Sequence, residues 1–445
     1  MRVQGPLSVR PLVPAQTSAS SGEVVGDEPL VAGVDLGTTS VSAVVIGELS
    51  GRQLGRATVP NQQGMYGADV LARVAADMDG QADLLRQAAQ SSVTDALCAA
   101  CGRACSCIED VVRVVVAGNS VMASALCGES LESFSAHPFE APFDDVRALP
   151  PSWHGELEVS DRLETLVLPP VVSFVGGDTT AALLAAGMID EEEPTLLVDM
   201  GTNAEVAISS RGRLNVTSAA AGPALEAVGT RSGGPYGEGA VVEVGASASG
   251  DIDVAVVGGG PPLWLAGSGL ISAVAMLRRF GHLDPSGLMC EEGPLGDRFA
   301  MDGDIKAFAI GDGQDAILLT QTDIRAFQQA KAGVAAAVYL SATRSRLRPR
   351  KVSRVVVTGA LGGAAGVEEL VELGVLPEDL KDRTEVLEAA ALTGAGMLAT
   401  DPGLVEEVMS YTSKAEHVDL AGDPRFSATF MAALELKPYT LQKGF

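Results

Sequence analysis

Aromatic side chains are scarce in this chain, 4% of 445 residues, although 47% of residues are apolar. With Ala, Val, Leu and Gly abundant instead, the composition suits an α/β protein with buried parallel strands better than a β-sandwich. Basic residues are also in short supply. The 31 Lys and Arg face 57 Asp and Glu, a net charge of −26, which argues against a nucleic-acid partner because phosphate backbones are bound by Lys/Arg excess. No apolar run approaches the ~18 residues of a membrane span, so no membrane partner is expected. Six cysteines are too few for a secreted disulfide scaffold. Residues 1–29 hold no continuous apolar stretch and read as a disordered tail, not a signal peptide, which makes a cytoplasmic location the expectation.

What the chain does have is length for two or three domains, and one motif written twice. Leu196, Leu197 and Val198 form a short apolar strand that delivers Asp199 to its end, where Gly201, Thr202 and Asn203 turn the chain back. Val31-Ala32-Gly33-Val34-Asp35-Leu36-Gly37-Thr38-Thr39 repeats the plan. Glycine in such a turn lets backbone N–H groups come close to a ligand. Free amides and hydroxyls can hold phosphate oxygens, while a carboxylate can hold hydrated Mg²⁺. Two copies a domain's length apart imply a duplicated α/β fold with facing phosphate loops. An acidic chain is no obstacle, since Mg²⁺ and amides offset nucleotide charge locally.

The expected organisation is a tail over 1–29, a first lobe over 30–190, a second over 191–400 and a C-terminal helical extension over 401–445. Gly176 and Gly177 lead into Asp178 and an Ala-rich helix. Thr320 with Asp323 forms a capping-box pattern heading a long helix striped by Ile324, Phe327, Lys331, Val334 and Val338. The strand Val355-Val356-Val357-Thr358 runs into Gly359, Gly362 and Gly363; this is either a plain strand-to-helix turn or the place where a base or sugar approaches the backbone. Cys98, Cys101, Cys105 and Cys107 lie within ten residues. Such a run can bind zinc or an iron–sulfur cluster, or the residues can serve as ordinary packing. The four histidines have no metal-ligand spacing.

These motifs in this order resemble the ASKHA superfamily of actin, heat-shock chaperone ATPases and sugar kinases. The resemblance implies two ribonuclease-H-like lobes clamping ATP. Residues 35–39 and 199–203 match the phosphate turns, 175–180 and 394–396 the connecting segments, and 358–363 the adenosine turn. Closer still, Tyr66-Gly67-Ala68-Asp69-Val70, Gly176-Gly177-Asp178, Asp199-Met200-Gly201-Thr202-Asn203-Ala204-Glu205, Ala221-Gly222-Pro223-Ala224-Leu225-Glu226 and Gly267-Ser268-Gly269-Leu270-Ile271 resemble the ATPase region of reductive activators of corrinoid proteins. That family uses ATP to help return Co(II) corrinoid to Co(I) for methyl transfer. Three departures stand out: no ferredoxin-like domain precedes residue 30, Ser272 stands where an acidic residue is expected, and 233–239 is altered.

From the resemblance, Asp35 and Asp199 are expected to hold Mg²⁺ through water, with Gly37, Thr38, Thr39, Gly201, Thr202 and Asn203 on phosphate. Asp178 either orients the attacking water or caps its helix. Gly359, Gly362 and Gly363 line the adenosine. Lys331 either lies along the adenine or is a solvated helix lysine. The expected partners are the corrinoid protein of a methyltransferase system and a separate low-potential electron donor such as a ferredoxin, and a homodimer is an admissible assembly. A small-molecule kinase and a non-catalytic nucleotide sensor are the competing readings.

Overall fold

The computed structural model describes residues 7–12, 28–155, 157–189, 191–247, 250–311, 313, 316–359 and 366–445. In the first lobe the apolar run Leu30–Leu36 is a buried central strand. It pairs antiparallel with Ser40–Gly47, which pairs antiparallel with Gln53–Pro60. On its other side Val111–Gly118 and then Glu164–Val167 add in parallel, and Arg147–Ala148 closes the edge. The second lobe repeats this plan. Thr195–Met200, Asn203–Ser210 and Arg213–Ala220 form the meander, and Arg354–Thr358 and Thr384–Val386 add in parallel beside Thr195–Met200. A fold of two such halves is the duplicated α/β architecture expected.

Two helices lie between the sheets, and the small residues on them set how closely the lobes approach. A Cβ on Gly394, in helix Ala390–Thr400, would stand 1.9 Å from the carbonyl oxygen of Ala181 in helix Gly177–Ala185. A Cβ on Gly33 would stand 2.3 Å from the backbone nitrogen of Gly396. Only hydrogen fits at either place. Thus Ala390–Thr400, grouped by sequence with the second lobe, packs directly on the first-lobe sheet.

Residues between the Arg213–Ala220 strand and Thr320 build two smaller sheets on the second lobe. In one of them Leu7–Leu12 runs parallel to Ile252–Val257 as an edge strand. The disordered tail expected over 1–29 is therefore corrected at these six residues. Leu7 and Val9 alternate with polar neighbours at the strand period, and Pro11 is tolerated because an edge strand need not donate every N–H. Helix Gly267–Arg279 packs on Ala240–Ala246, and here Ser272 finds its role. Its hydroxyl accepts from Val244 N at 2.8 Å and donates to Gly269 O at 3.1 Å. A neutral hydroxyl thus ties helix to strand where an acid was expected.

The capping box is formed as the sequence indicated: Asp323 N donates to Thr320 Oγ1 at 3.1 Å, and Thr320 N to Asp323 Oδ2 at 2.8 Å. Helix Gln321–Arg344 buries its stripe from Ile324 to Val338. The segment 401–445 is not an appendage. Val408 packs with Val31 of the first lobe, Tyr411 OH meets Ser209 Oγ at 2.5 Å in the second, and helix Phe426–Ala433 lies on Gln321–Arg344. Among the described residues no helix is long and apolar enough to cross a membrane.

Candidate functional site: a carboxylate-lined cleft between paired turns

Asp35 and Asp199 occupy the same place in their lobes, the penultimate residue of a buried strand leading into a tight turn. Each turn closes alike: Gly37 N donates to Ser40 O, and Gly201 N to Asn203 O, both at 3.1 Å. The two turns then face one another. Thr39 Oγ1 and Thr202 Oγ1 are 3.2 Å apart, a hydroxyl contact across the cleft between residues 163 positions apart. Thr202 Oγ1 also donates to Glu226 Oε1 at 3.4 Å.

Asp178 comes from the connecting helix. That helix begins at Gly177 with Gly176 at its N-cap, so Asp178 stands in the first turn, where its carboxyl accepts a backbone amide. Its Oδ1 accepts from Thr179 N at 2.7 Å, beside the end of the Val111–Gly118 strand. Close by is Ser120, and further along the helix Thr180; the buried hydroxyls of both have no hydrogen-bond partner among the described residues. Unsatisfied hydroxyls at a buried cleft wall mark a place for a polar ligand or water.

The electrostatics of the cleft are one-sided. Burial pushes Asp35 well above the usual carboxylate range, and the charges of Asp178, Asp199 and Glu226 raise it further, with Arg56 opposing. Burial raises Asp178 to about 6 against the hydrogen bonds from Thr179. Burial, then Asp178 and Glu226, raise Asp199 to about 7. Glu205 is pushed well up by burial and by Asp178 and Asp199, and Glu226 reaches about 7 through burial, eased by hydrogen bonds from Thr202 and Thr39. Five mutually repelling carboxyls in one cleft form a site that a divalent cation would relieve. Among the described residues no three His, Cys, Asp or Glu side chains converge to ligate a metal directly. Carboxylate oxygens are the donor type that suits a hydrated Mg²⁺, which keeps several of its waters.

Glu205 and Glu226 carry no role in the sequence reading. The signal for Glu205 is an acid inside the otherwise apolar run Ala204–Ile208 of the strand Asn203–Ser210. Glu226 reaches Thr202 only through the 3₁₀ turn Pro223–Glu226, which spacing does not disclose.

Gly359 sits at φ 123°, and a Cβ there would stand 2.3 Å from Met200 O, so Gly359 abuts phosphate turn two. Gly362 and Gly363 lie outside the described residues. Lys331 is corrected in both readings. It is fully buried rather than solvated, and its ammonium donates to Glu435 O at 2.6 Å and Gly374 O at 3.4 Å, not toward a base. The cysteine run is corrected too. Cys98 and Cys101 belong to helix Ala82–Arg103, Cys105 takes a left-handed φ of 55°, and Cys107 caps the next 3₁₀ turn. Cys101 is packed into the core, where burial pushes its thiol up to about 11. Cys98 and Cys107 stand near enough to Cys101 to raise its thiol further, yet among the described residues the thiols do not converge as a metal-ligand set.

The family described as the C-terminal domain of RACo, the ASKHA domain, matches residues 193–443, and the RACo middle region matches residues 30–191. The chain belongs to the RACo family. The two RACo matches meet within the acidic stretch Glu191-Glu192-Glu193, ahead of the second phosphate strand. Corrinoid activation enzyme RamQ of Eubacterium limosum is 29% identical over 89% of this chain and 68% of its own length. The [Co(II) methylated amine-specific corrinoid protein] reductase of Methanosarcina barkeri is 25% identical over 65% of this chain and 55% of its own. A solved reductive activator for corrinoid, iron–sulfur protein superposes with a TM-score of 0.87 at 26% identity, covering 94% of this chain and 67% of that one.

Proposed function

We propose that this RACo-family chain is an ATP-dependent reductive activator of a corrinoid protein, helping return Co(II) to Co(I) for methyl transfer. The observation that carries the nucleotide part is the meeting of Thr39 and Thr202 across a cleft walled by five carboxyls. The partner class follows what the relatives act on. Asp35 and Asp199 would hold hydrated Mg²⁺; Thr38, Thr39, Thr202 and Asn203 would hold phosphate oxygens, with Gly359 on the adenosine side. Bound MgATP supplies a phosphoanhydride whose hydrolysis releases free energy. Asp178 would orient a water through its carboxylate, and with a pKa of about 6 it can take up a proton near neutral pH.

Reduction to Co(I) is uphill from common donors, and about 59 mV of a one-electron gap corresponds to about 1.4 kcal/mol. Binding narrows such a gap only by favouring one cobalt state over another. Closing the lobes around nucleotide is the motion that links the two. The electron is assigned to a separate low-potential donor such as a ferredoxin, since the four-cysteine run is not gathered into a ligand set. The test incubates this protein anaerobically with a corrinoid protein and a ferredoxin or chemical reductant, with and without ATP. ATP-dependent appearance of the Co(I) absorption is expected. If ATP changes neither rate nor extent, and a small metabolite is phosphorylated instead, the kinase reading replaces this one.

A further inference from the structure

The motif Tyr66-Gly67-Ala68-Asp69-Val70 has no part in the site described so far, yet it folds directly behind phosphate turn one. Asp69 caps helix Val70–Ala76 by accepting from Ala72 N at 2.8 Å. One turn on, Arg73 is directed inward and is among the largest side chains fully withdrawn from solvent, at 1% exposure. Its Nη2 donates to Thr38 O at 2.6 Å, its Nε to Gly67 O at 3.0 Å, and its Nη1 meets the Met122 sulfur.

A buried guanidinium is ordinarily paired with an anion. Here no carboxylate among the described residues makes an ion-pair contact with it; the charge of Asp69, which caps the helix, acts on it only at longer range. The other carbonyls of the turn are also held from outside: Asn61 Nδ2 donates to Gly37 O at 2.8 Å, and Asn61 N to Thr39 O at 2.9 Å. With its three carbonyls fastened behind, the turn is left to offer amides and hydroxyls to the cleft. A cation on the Thr38 carbonyl also polarises the Thr38–Thr39 peptide and strengthens the Thr39 N–H as a donor. Among the described residues turn two has no cation behind its carbonyls. Thr202 O accepts from Gly222 N at 2.8 Å, and the Thr202 hydroxyl donates to the Glu226 carboxyl.

We propose that Arg73 is a positioning residue for anion binding: it fixes the Thr38 carbonyl and places a buried positive charge behind turn one, making that turn the phosphate-attracting half of an otherwise acidic cleft. The inference rests on the reading of the cleft as a nucleotide site. Its partner is the polyphosphate of the nucleotide, not the nucleoside.

The test compares MgADP and adenosine binding by titration calorimetry for the wild-type chain, Arg73→Gln and Arg73→Lys, with folding checked by circular dichroism. Arg73→Gln should weaken MgADP by about tenfold or more, the ratio that ~1.4 kcal/mol represents, while adenosine affinity stays as in wild type. Arg73→Lys, which keeps the charge, should retain most of the MgADP preference. It also supplies the folded comparison should Arg73→Gln not fold. Parallel loss of MgADP and adenosine binding would make Arg73 a structural prop and overturn the inference, as would a Lys variant that loses the preference. An unchanged ratio in Arg73→Gln overturns it alone, whereas a wild-type chain that binds no MgADP overturns the nucleotide reading with it.

Discussion

Asp199 is held where its ionised form is disfavoured, by burial first and by neighbouring acids second. Replacing that carboxyl by an amide therefore separates function from stability. Asp199→Asn should bring ATP hydrolysis close to background and, in the nucleotide-free protein at pH 8, raise the melting temperature, because a neutral group replaces an ionised one that burial penalises. Calorimetry and a phosphate-release assay check both halves; a lower melting temperature would contradict the electrostatic account. Asp178→Asn should behave differently. If its carboxyl orients water, kcat falls by about 10²–10⁴-fold while the KM for ATP moves little. These acids were legible because Asp-x-Gly-Thr and Gly-Gly-Asp place them at strand and helix ends. Glu226 was not, since its distance from Thr202 is set by a 3₁₀ turn and not by the strand.

Among the elements, the connecting helices carry the tightest steric demand. A side chain at Gly394 meets the Ala181 carbonyl at 1.9 Å, so Gly394→Val must push the lobes apart. A loss of about 1–3 kcal/mol or more in urea unfolding is expected. ATP turnover should fall with it, because the two phosphate turns are brought together by this crossing. Helix Gln321–Arg344 makes the opposite case. Its periodicity correctly put Lys331 on the apolar stripe, yet a lysine there reads naturally as a solvated or ligand-facing group. The structure instead caps its ammonium with two carbonyls from segments distant in sequence. Lys331→Met should leave the KM for ATP unchanged and expose the C-terminal segment to faster proteolysis, which digestion followed by mass spectrometry would read.

For the molecule as a whole, the acid cluster is shared: Asp35 and Asp178 come from the first lobe, Asp199, Glu205 and Glu226 from the second. Their folded pKa values lie above the unfolded ones, 3.8 for Asp and 4.5 for Glu, reaching about 6 for Asp178 and about 7 for Asp199 and Glu226. The folded state therefore retains protons that the unfolded chain releases, and stability is lost progressively as pH rises from about 4 to about 7. Lys331, lowered to about 7, acts oppositely, and its penalty is relieved only as pH rises from there toward 10.5. The nucleotide-free protein should thus melt at a lower temperature at pH 7 than at pH 5. Magnesium with ADP should flatten that decline, since a bound cation favours the ionised acids. Scanning calorimetry at the two pH values, with and without the ligand, decides it.

The sequence alone determined the local units. Apolar runs of strand length ending in Asp-x-Gly fixed the two turns, and the repeat of that unit a lobe apart fixed the duplicated plan, because both depend on neighbours along the chain. The tertiary structure decided what faces what. It brought Thr39 to Thr202, set Ala390–Thr400 against the first sheet, and drew Leu7–Leu12 onto Ile252–Val257. It also distributed Cys98, Cys101, Cys105 and Cys107 over a helix, a turn and a cap, where among the described residues they do not converge as a metal-ligand set. Spacing cannot report such contacts, because burial and charge depend on residues that meet only when the two lobes fold together.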